Sequence, residues 1–232
     1  QILVFTLAGT ALGARAGVRW GTIGLLAIVW VLAPLVAAGL GFVLTRALDH
    51  IPAIARAGES AGAGEGRPRG VAGARLLGVG LVVVGAGASF VMGSNDVANA
   101  TGSLVAVHAF SPLVAGAIGG AGLALGVLTW GRPLLDRVAF DIVKLDRPMA
   151  TAAQGVQAIV VILAVSFGFF TSMNQALVGA MVGAGAARGR RTVNRAILTG
   201  ILRGWALGPA AGIVAGFLVT RILVAFGVGA LR

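Results

Sequence analysis

The chain has 232 residues, 58% of them hydrophobic and only 11% charged, with a mean hydropathy of +0.98. Soluble domains carry about a quarter charged residues, so the composition excludes a water-soluble globular fold and predicts an all-α, polytopic membrane protein. The net charge of +11 does not mark a nucleic-acid binder, because the arginines gather at the ends of apolar stretches and in short connections, as the positive-inside rule produces.

Five or six stretches are long enough to cross or deeply enter a bilayer at about 20 residues per crossing. They lie near 2–14, 20–47, 76–110, 112–131, 150–187 and 196–226. Small residues recur at four-residue spacing, as at Gly116/Gly120, Gly179/Gly183 and Gly208/Gly212/Gly216, which lets helix backbones approach closely. Between 49 and 75 the run DHIPAIARAGESAGAGEGRPRGVAGAR reads as a flexible cytoplasmic linker. The absence of cysteine excludes disulfides and thiolate metal sites.

Residues 1–48 align with 175–223 once the offset changes from 174 to 175 between Gly9 and Arg15. Matches include Gln1/Gln175, Gly9/Gly183, Trp30/Trp205 and Pro34/Pro209, and GFVLTRAL (41–48) against GFLVTRIL (216–223). Fourteen positions are identical, where chance gives roughly four or five in so biased a composition. The expected organisation is therefore the end of a first repeat at 1–48, the linker at 49–75 and a second repeat at 76–232. On this reading about a hundred residues precede Gln1 in the full protein, with a further Asn-rich interruption about eighty residues upstream. The connections 46–75, 132–147 and 188–195 carry five, four and four Lys/Arg, against two near Arg15; that asymmetry predicts inverted topology.

Two polar interruptions stand out. In SFVMGSNDVANATGSLVAV (89–107), Ser94, Asn95, Asp96, Asn99, Thr101 and Ser103 fall inside an apolar segment. An ionised Asp96 in a bilayer costs several kcal/mol unless it meets water, a cation or a partner. Gly93 and the Ser-Asn-Asp run predict an unwound point whose freed N–H groups bind an anion. Asp96 is the candidate cation or proton site. The second interruption, GFFTSMNQALVGAMVGAG (168–185), puts Thr171, Ser172, Asn174 and Gln175 in the middle of the stretch 150–187, as a re-entrant hairpin with a polar tip reads; its length also allows two full crossings joined by a polar loop at the far surface.

GSNDVANATGSLVAV resembles the second GANDVANA signature of the PiT family of inorganic phosphate transporters. SMNQALVGAMVGAGAARG matches the place where members usually carry STTHALVGAVVGVGLARG. The resemblance implies an inverted-repeat secondary transporter with discontinuous helices, moving phosphate with sodium or protons. Carried over by position, Asn95, Asp96 and Asn99 match the signature and Ser172 the hairpin serine. Met173 and Asn174 stand where Thr-Thr is usual, and Gln175 replaces His. Those departures leave phosphate and sulfate, and sodium and proton, as alternatives.

The expected substrate ligands are Ser94, Asn95, Asn99, Thr101, Ser103, Ser172 and Asn174; Asp96, Asn95 and Gln175 are the expected coupling residues, with Asp96 the sodium ligand. No cofactor and no enzyme chemistry are expected. The expected partners are phosphate or sulfate, sodium or a proton, and the bilayer of a prokaryotic plasma membrane; a homodimer is left open. An anion channel or a non-transporting membrane subunit is the competing class. His108 and Arg203 read as interfacial or snorkelling residues, and Trp20, Trp30, Trp130 and Trp205 as a set that includes interface anchors.

Overall fold

The computed structural model describes residues 1–52, 54, 71–141, 143, 145–167, 171–189 and 193–227. Its elements are α1 (Ile2–Gly13), α2 (Trp20–Asp49), α3 (Val71–Ala106), α4 (Pro112–Asp141), α5 (Arg147–Ser166), α6 (Met173–Arg188) and α7 (Arg195–Ala225). Among the described residues the only non-helical pairing is an isolated antiparallel bridge between Val143 and Val193. Five helices are long and apolar enough to cross a membrane: α2, α5, α7, residues 78–106 of α3 and residues 112–132 of α4. The protein is a multi-pass membrane protein.

Local chemistry sets several boundaries. Asp146 opens α5 by accepting a 2.8 Å hydrogen bond from the Met149 N–H, with a proline in the first turn, a pairing that satisfies one free donor and pre-sets the backbone. Gly189 closes α6 at φ 118°, a conformation that side-chain-bearing residues rarely adopt. α3 begins at Val71, five residues ahead of the expected segment, and α4 runs to Asp141, through most of the expected connection at 132–147. The stretch 150–187 resolves into two helices, α5 and α6.

One expectation is corrected. α3 is an unbroken helix through Gly93, Ser94, Asn95 and Asp96, so no unwound point frees N–H groups there. The physical reason is that the polar side chains find partners without opening the backbone. Ser94 Oγ donates to the Phe90 carbonyl at 2.9 Å, Thr101 Oγ1 to the Val97 carbonyl at 2.8 Å, and Asn99 Nδ2 to Asn95 Oδ1 at 3.1 Å. Each bond spans one helical turn, which the helix geometry supplies at no cost in backbone bonds. The interruption that does occur lies between α5 and α6, where Thr171 and Ser172 are non-helical.

The chain divides into two compact units, residues 1–28 with 195–232, and residues 29–194. In the first, α1 packs on α7 at backbone distance. A Cβ on Gly9 would run into the Ile213 backbone, and one on Gly216 into the Thr6 carbonyl. In the second, α6 packs on α2 in the same manner: Gly183 meets the Ala38 backbone and Gly41 the Ala180 carbonyl. Under the sequence offset these are matching positions, Gly9 with Gly183, Ile213 with Ala38, Gly216 with Gly41 and Thr6 with Ala180.

α6 is the core of the second unit. Eleven of its sixteen residues are buried, whereas α4 exposes Leu113, Leu128 and Trp130 at 84%, 82% and 75%. At about 1.5 Å per residue α6 spans only about 24 Å, less than the ~30 Å hydrocarbon core. Its foot is anchored: Arg188 bridges Asp49 at 2.7 Å and Asp146 at 3.2 Å, tying together the end of α2 and the hairpin's two feet. Trp30 is buried at 5% exposure and so is a core residue, while Trp20 and Trp130 are exposed, as interface anchors are.

Candidate functional site

Helical periodicity sorts the polar residues of α3. At about 100° per residue, Asn95, Asp96, Asn99 and Ser103 share one face of the helix. Ser94 and Thr101 fall on the opposite face, with Val97. The contacts agree with that sorting. Ser94 and Val97 line a groove against Gly120, Leu123, Ala124, Val127 and Leu128 of α4, and Thr101, 8% exposed, lies against Gly119 of α4. Of the expected ligands on α3, the structure thus brings together Asn95, Asp96, Asn99 and Ser103, and parts Ser94 and Thr101 from them.

The Asn–Asp face continues toward the N-terminus of α3. Gly85, Ala88 and Met92 lie on it at three- and four-residue steps, with Ser89 at its edge. Ala88, Ser89 and Met92 form one wall of a cavity of about 280 Å³. Its other walls are Leu145, Ala150, Ala153, Gln154 and Gln157, at and along α5, and Leu177 and Met181 of α6. Asp96 is half-buried and Asn99 exposed. Asn95 Oδ1 is engaged by Asn99, and among the described residues the Asn95 NH2 group and the Asn99 oxygen have no further partner.

The hairpin tip has a different character. Thr171 is 7% and Gln175 3% exposed, and Thr171 Oγ1 and Gln175 Oε1 have no hydrogen-bond partner among the described residues. Ser172 occupies the N-cap of α6 without a side-chain capping bond, so the first N–H groups of α6 lack that partner. Asn174 is exposed. Gln157 Nε2 donates to the Met173 carbonyl at 3.5 Å. Since Gln157 is midway along α5, this contact places the start of α6 beside the middle of that helix. The tip and the Asn–Asp face belong to the same unit.

The model of the phosphate transporter family matches residues 1–216. The chain belongs to that family. Its described relatives are transporters rather than enzymes. It is 32% identical over 108 residues to a Chlamydia muridarum protein named "Putative phosphate permease", a match covering 43% of this chain and 25% of the relative. It is 28% identical over 102 residues to mouse "Sodium-dependent phosphate transporter 1", covering 40% of this chain and 15% of that protein. The matches to these curated relatives therefore cover about a quarter of their length or less. A solved structure titled "The sodium-dependent phosphate transporter" superposes with a TM-score of 0.75 at 22% identity, covering 90% of this chain and 68% of that one. That likeness establishes a shared fold.

Two residues of this family member escape a reading by composition. Gln154 and Gln157 are three apart on α5 and face the cavity together. The signal was present, since two glutamines on one face of an apolar span are as unusual as the Asn–Asp stripe. Thr171 was visible as part of the polar tip, but its missing partner is a fact of packing.

Proposed function

We propose that the protein imports inorganic phosphate across a prokaryotic plasma membrane, coupled to a cation gradient. The observation that carries this reading is the tip of the α5–α6 hairpin, where buried Thr171 and Gln175 keep oxygens without a partner among the described residues, at the start of a helix too short to cross the bilayer. Buried polar atoms without partners cost about 1–3 kcal/mol each, and a transported ligand that returns the bonds accounts for their retention.

On this reading the oxyanion binds at the N-terminus of α6, where free N–H groups and the helix dipole favour negative charge. Ser172 and the amides of Asn95 and Asn99 add neutral donors. Asp96, the remaining lone pair of the Asn95 oxygen and Gln175 Oε1 supply hard oxygen ligands for the coupling cation. Sodium is the favoured ion because the mouse relative is named for sodium dependence. The matching close approaches of α1 on α7 and of α6 on α2, with the arginine asymmetry of the connections, support two inverted repeats that rock around a shared site.

The test is uptake by the full-length protein in proteoliposomes, with phosphate and sulfate competing under imposed sodium or proton gradients. Saturable, sodium-driven phosphate uptake is expected. Ohmic, gradient-independent current would instead make the protein a channel. Sulfate is the second reading, favoured by Met173, Asn174 and Gln175 standing where Thr-Thr-His is usual in relatives; preferential sulfate uptake would select it.

A further inference from the structure

The 280 Å³ cavity between α3, α5 and α6 is distinct from the binding segments and ends within about one helical turn of each along the chain. On α5 and the residues before it, the lining runs from Leu145, next to the Asp146–Arg188 pair, to Gln157, which holds the Met173 carbonyl at the hairpin tip. That is a little over three helical turns, or about 18 Å. On α3 the lining ends at Met92, one turn before Asn95 and Asp96 on the same face.

Its chemistry suits passage rather than capture. None of the lining residues is ionisable, so nothing in it traps an anion. Ser89, Gln154 and Gln157 supply neutral hydrogen-bonding groups among alanine, leucine and methionine. The space has room for several waters, and Ser89, Gln154 and Gln157 are the side chains that give them partners within a mostly apolar lining. Conduction requires a lining that binds well enough to admit an ion and weakly enough to release it. The Gln154 amide also lies directly against α3: a Cβ on Gly85 would come within 2.8 Å of Gln154 Oε1. The width of the cavity is therefore set in part by the missing side chain at Gly85.

We propose that this cavity is the water-filled route by which the transported oxyanion passes between the binding segments and the Asp146–Arg188 end of the unit, with Gln154 and Gln157 as its guiding donors. The inference rests on the transport reading above.

Residues 1–232 hold no cysteine, so single thiols introduced there are readable in the full-length protein once any cysteine elsewhere in it is replaced by serine. Ala153→Cys and Met181→Cys place thiols in the cavity wall, and Leu125→Cys places one on the exposed surface of α4. In proteoliposomes, a membrane-impermeant anionic methanethiosulfonate is expected to modify the two cavity thiols on the order of tenfold faster than the one at 125. Modification is expected to block phosphate uptake, and saturating phosphate with sodium is expected to slow it. Gly85→Ala, which pushes the flexible Gln154 amide into the space, is expected to lower maximal uptake severalfold with unchanged phosphate affinity.

Cavity thiols that react no faster than the one at 125, in variants that still take up phosphate, would overturn the route and leave the transport reading intact. Undiminished uptake by the Gly85→Ala protein would overturn it as well, even if a cysteine variant failed to fold. Wild-type protein that carries no oxyanion under any gradient would overturn the transport reading, and the route with it.

Discussion

Residues 94–103 of α3 and residues 171–175 at the hairpin tip are both polar inserts in apolar sequence, yet they solve the problem of burial in opposite ways. α3 stays helical, and its hydroxyls bond carbonyls one turn back: Ser94 to Phe90 and Thr101 to Val97. The tip leaves the helix and buries Thr171 Oγ1 and Gln175 Oε1 with no hydrogen-bond partner among the described residues. A hydroxyl satisfied within its own helix is chemically quiet, whereas a buried one left open waits for a ligand. The same criterion divides α3 itself. Ser94 and Thr101 are back-bonded and turned toward α4, while half-buried Asp96, on the opposite face with Asn95 and Asn99, has no ion pair among the described residues.

The largest effect is expected at the charge. Asp96→Asn keeps shape and hydrogen bonding but removes the charge a cation needs, so sodium-driven phosphate uptake should fall to background while the protein stays folded and inserted. Near-normal, ion-dependent uptake would make Asp96 structural and erase the distinction between the two faces of α3.

Thr171→Val probes the open hydroxyl at the tip. Removing a buried group that has no partner should raise thermal stability, by up to about 1 kcal/mol, while phosphate uptake falls. A loss of stability would show that the hydroxyl has a structural role. Arg188→Gln breaks both ion pairs at the hairpin's foot. The three groups keep about a quarter of their side-chain surface exposed, so the expected loss is about 1 kcal/mol in a thermal melt, less at high salt.

The smallest effects are expected on the α4-facing side. Ser94→Ala and Thr101→Val remove back-bonded hydroxyls and should leave uptake within about twofold of wild type, with stability changes near 0.5 kcal/mol. A collapse of transport in the Ser94→Ala protein would return that residue to the binding site and break the sorting by face.

These contrasts also show what was legible in the chain. The apolar blocks, the hairpin between 150 and 187 and the polar tip could all be read from hydropathy and length, because lipid tolerates few alternatives to the helix. The unwound point at Gly93 could not be judged that way. Glycine and the Ser-Asn-Asp run weaken a helix in water, but one-turn side-chain bonds compensate, and only coordinates reveal them. Counting around the helix would have separated Ser94 and Thr101 from Asn95, Asp96 and Asn99 beforehand. The orphaned atoms at Thr171 and Gln175 were out of reach, since a missing partner depends on every neighbour at once.

The central claim is that the Asn–Asp face of α3 and the tip of the hairpin hold one anion between them. A double-mutant cycle on phosphate uptake by the full-length protein tests it most directly, using Asn99→Ala, Ser172→Ala and the pair, with kcat/KM as the readout. Residues that share a ligand should couple by about 1 kcal/mol or more, so that the double variant departs at least fivefold from the product of the single effects. Additivity within about 0.5 kcal/mol, with both single variants impaired, would contradict a shared site.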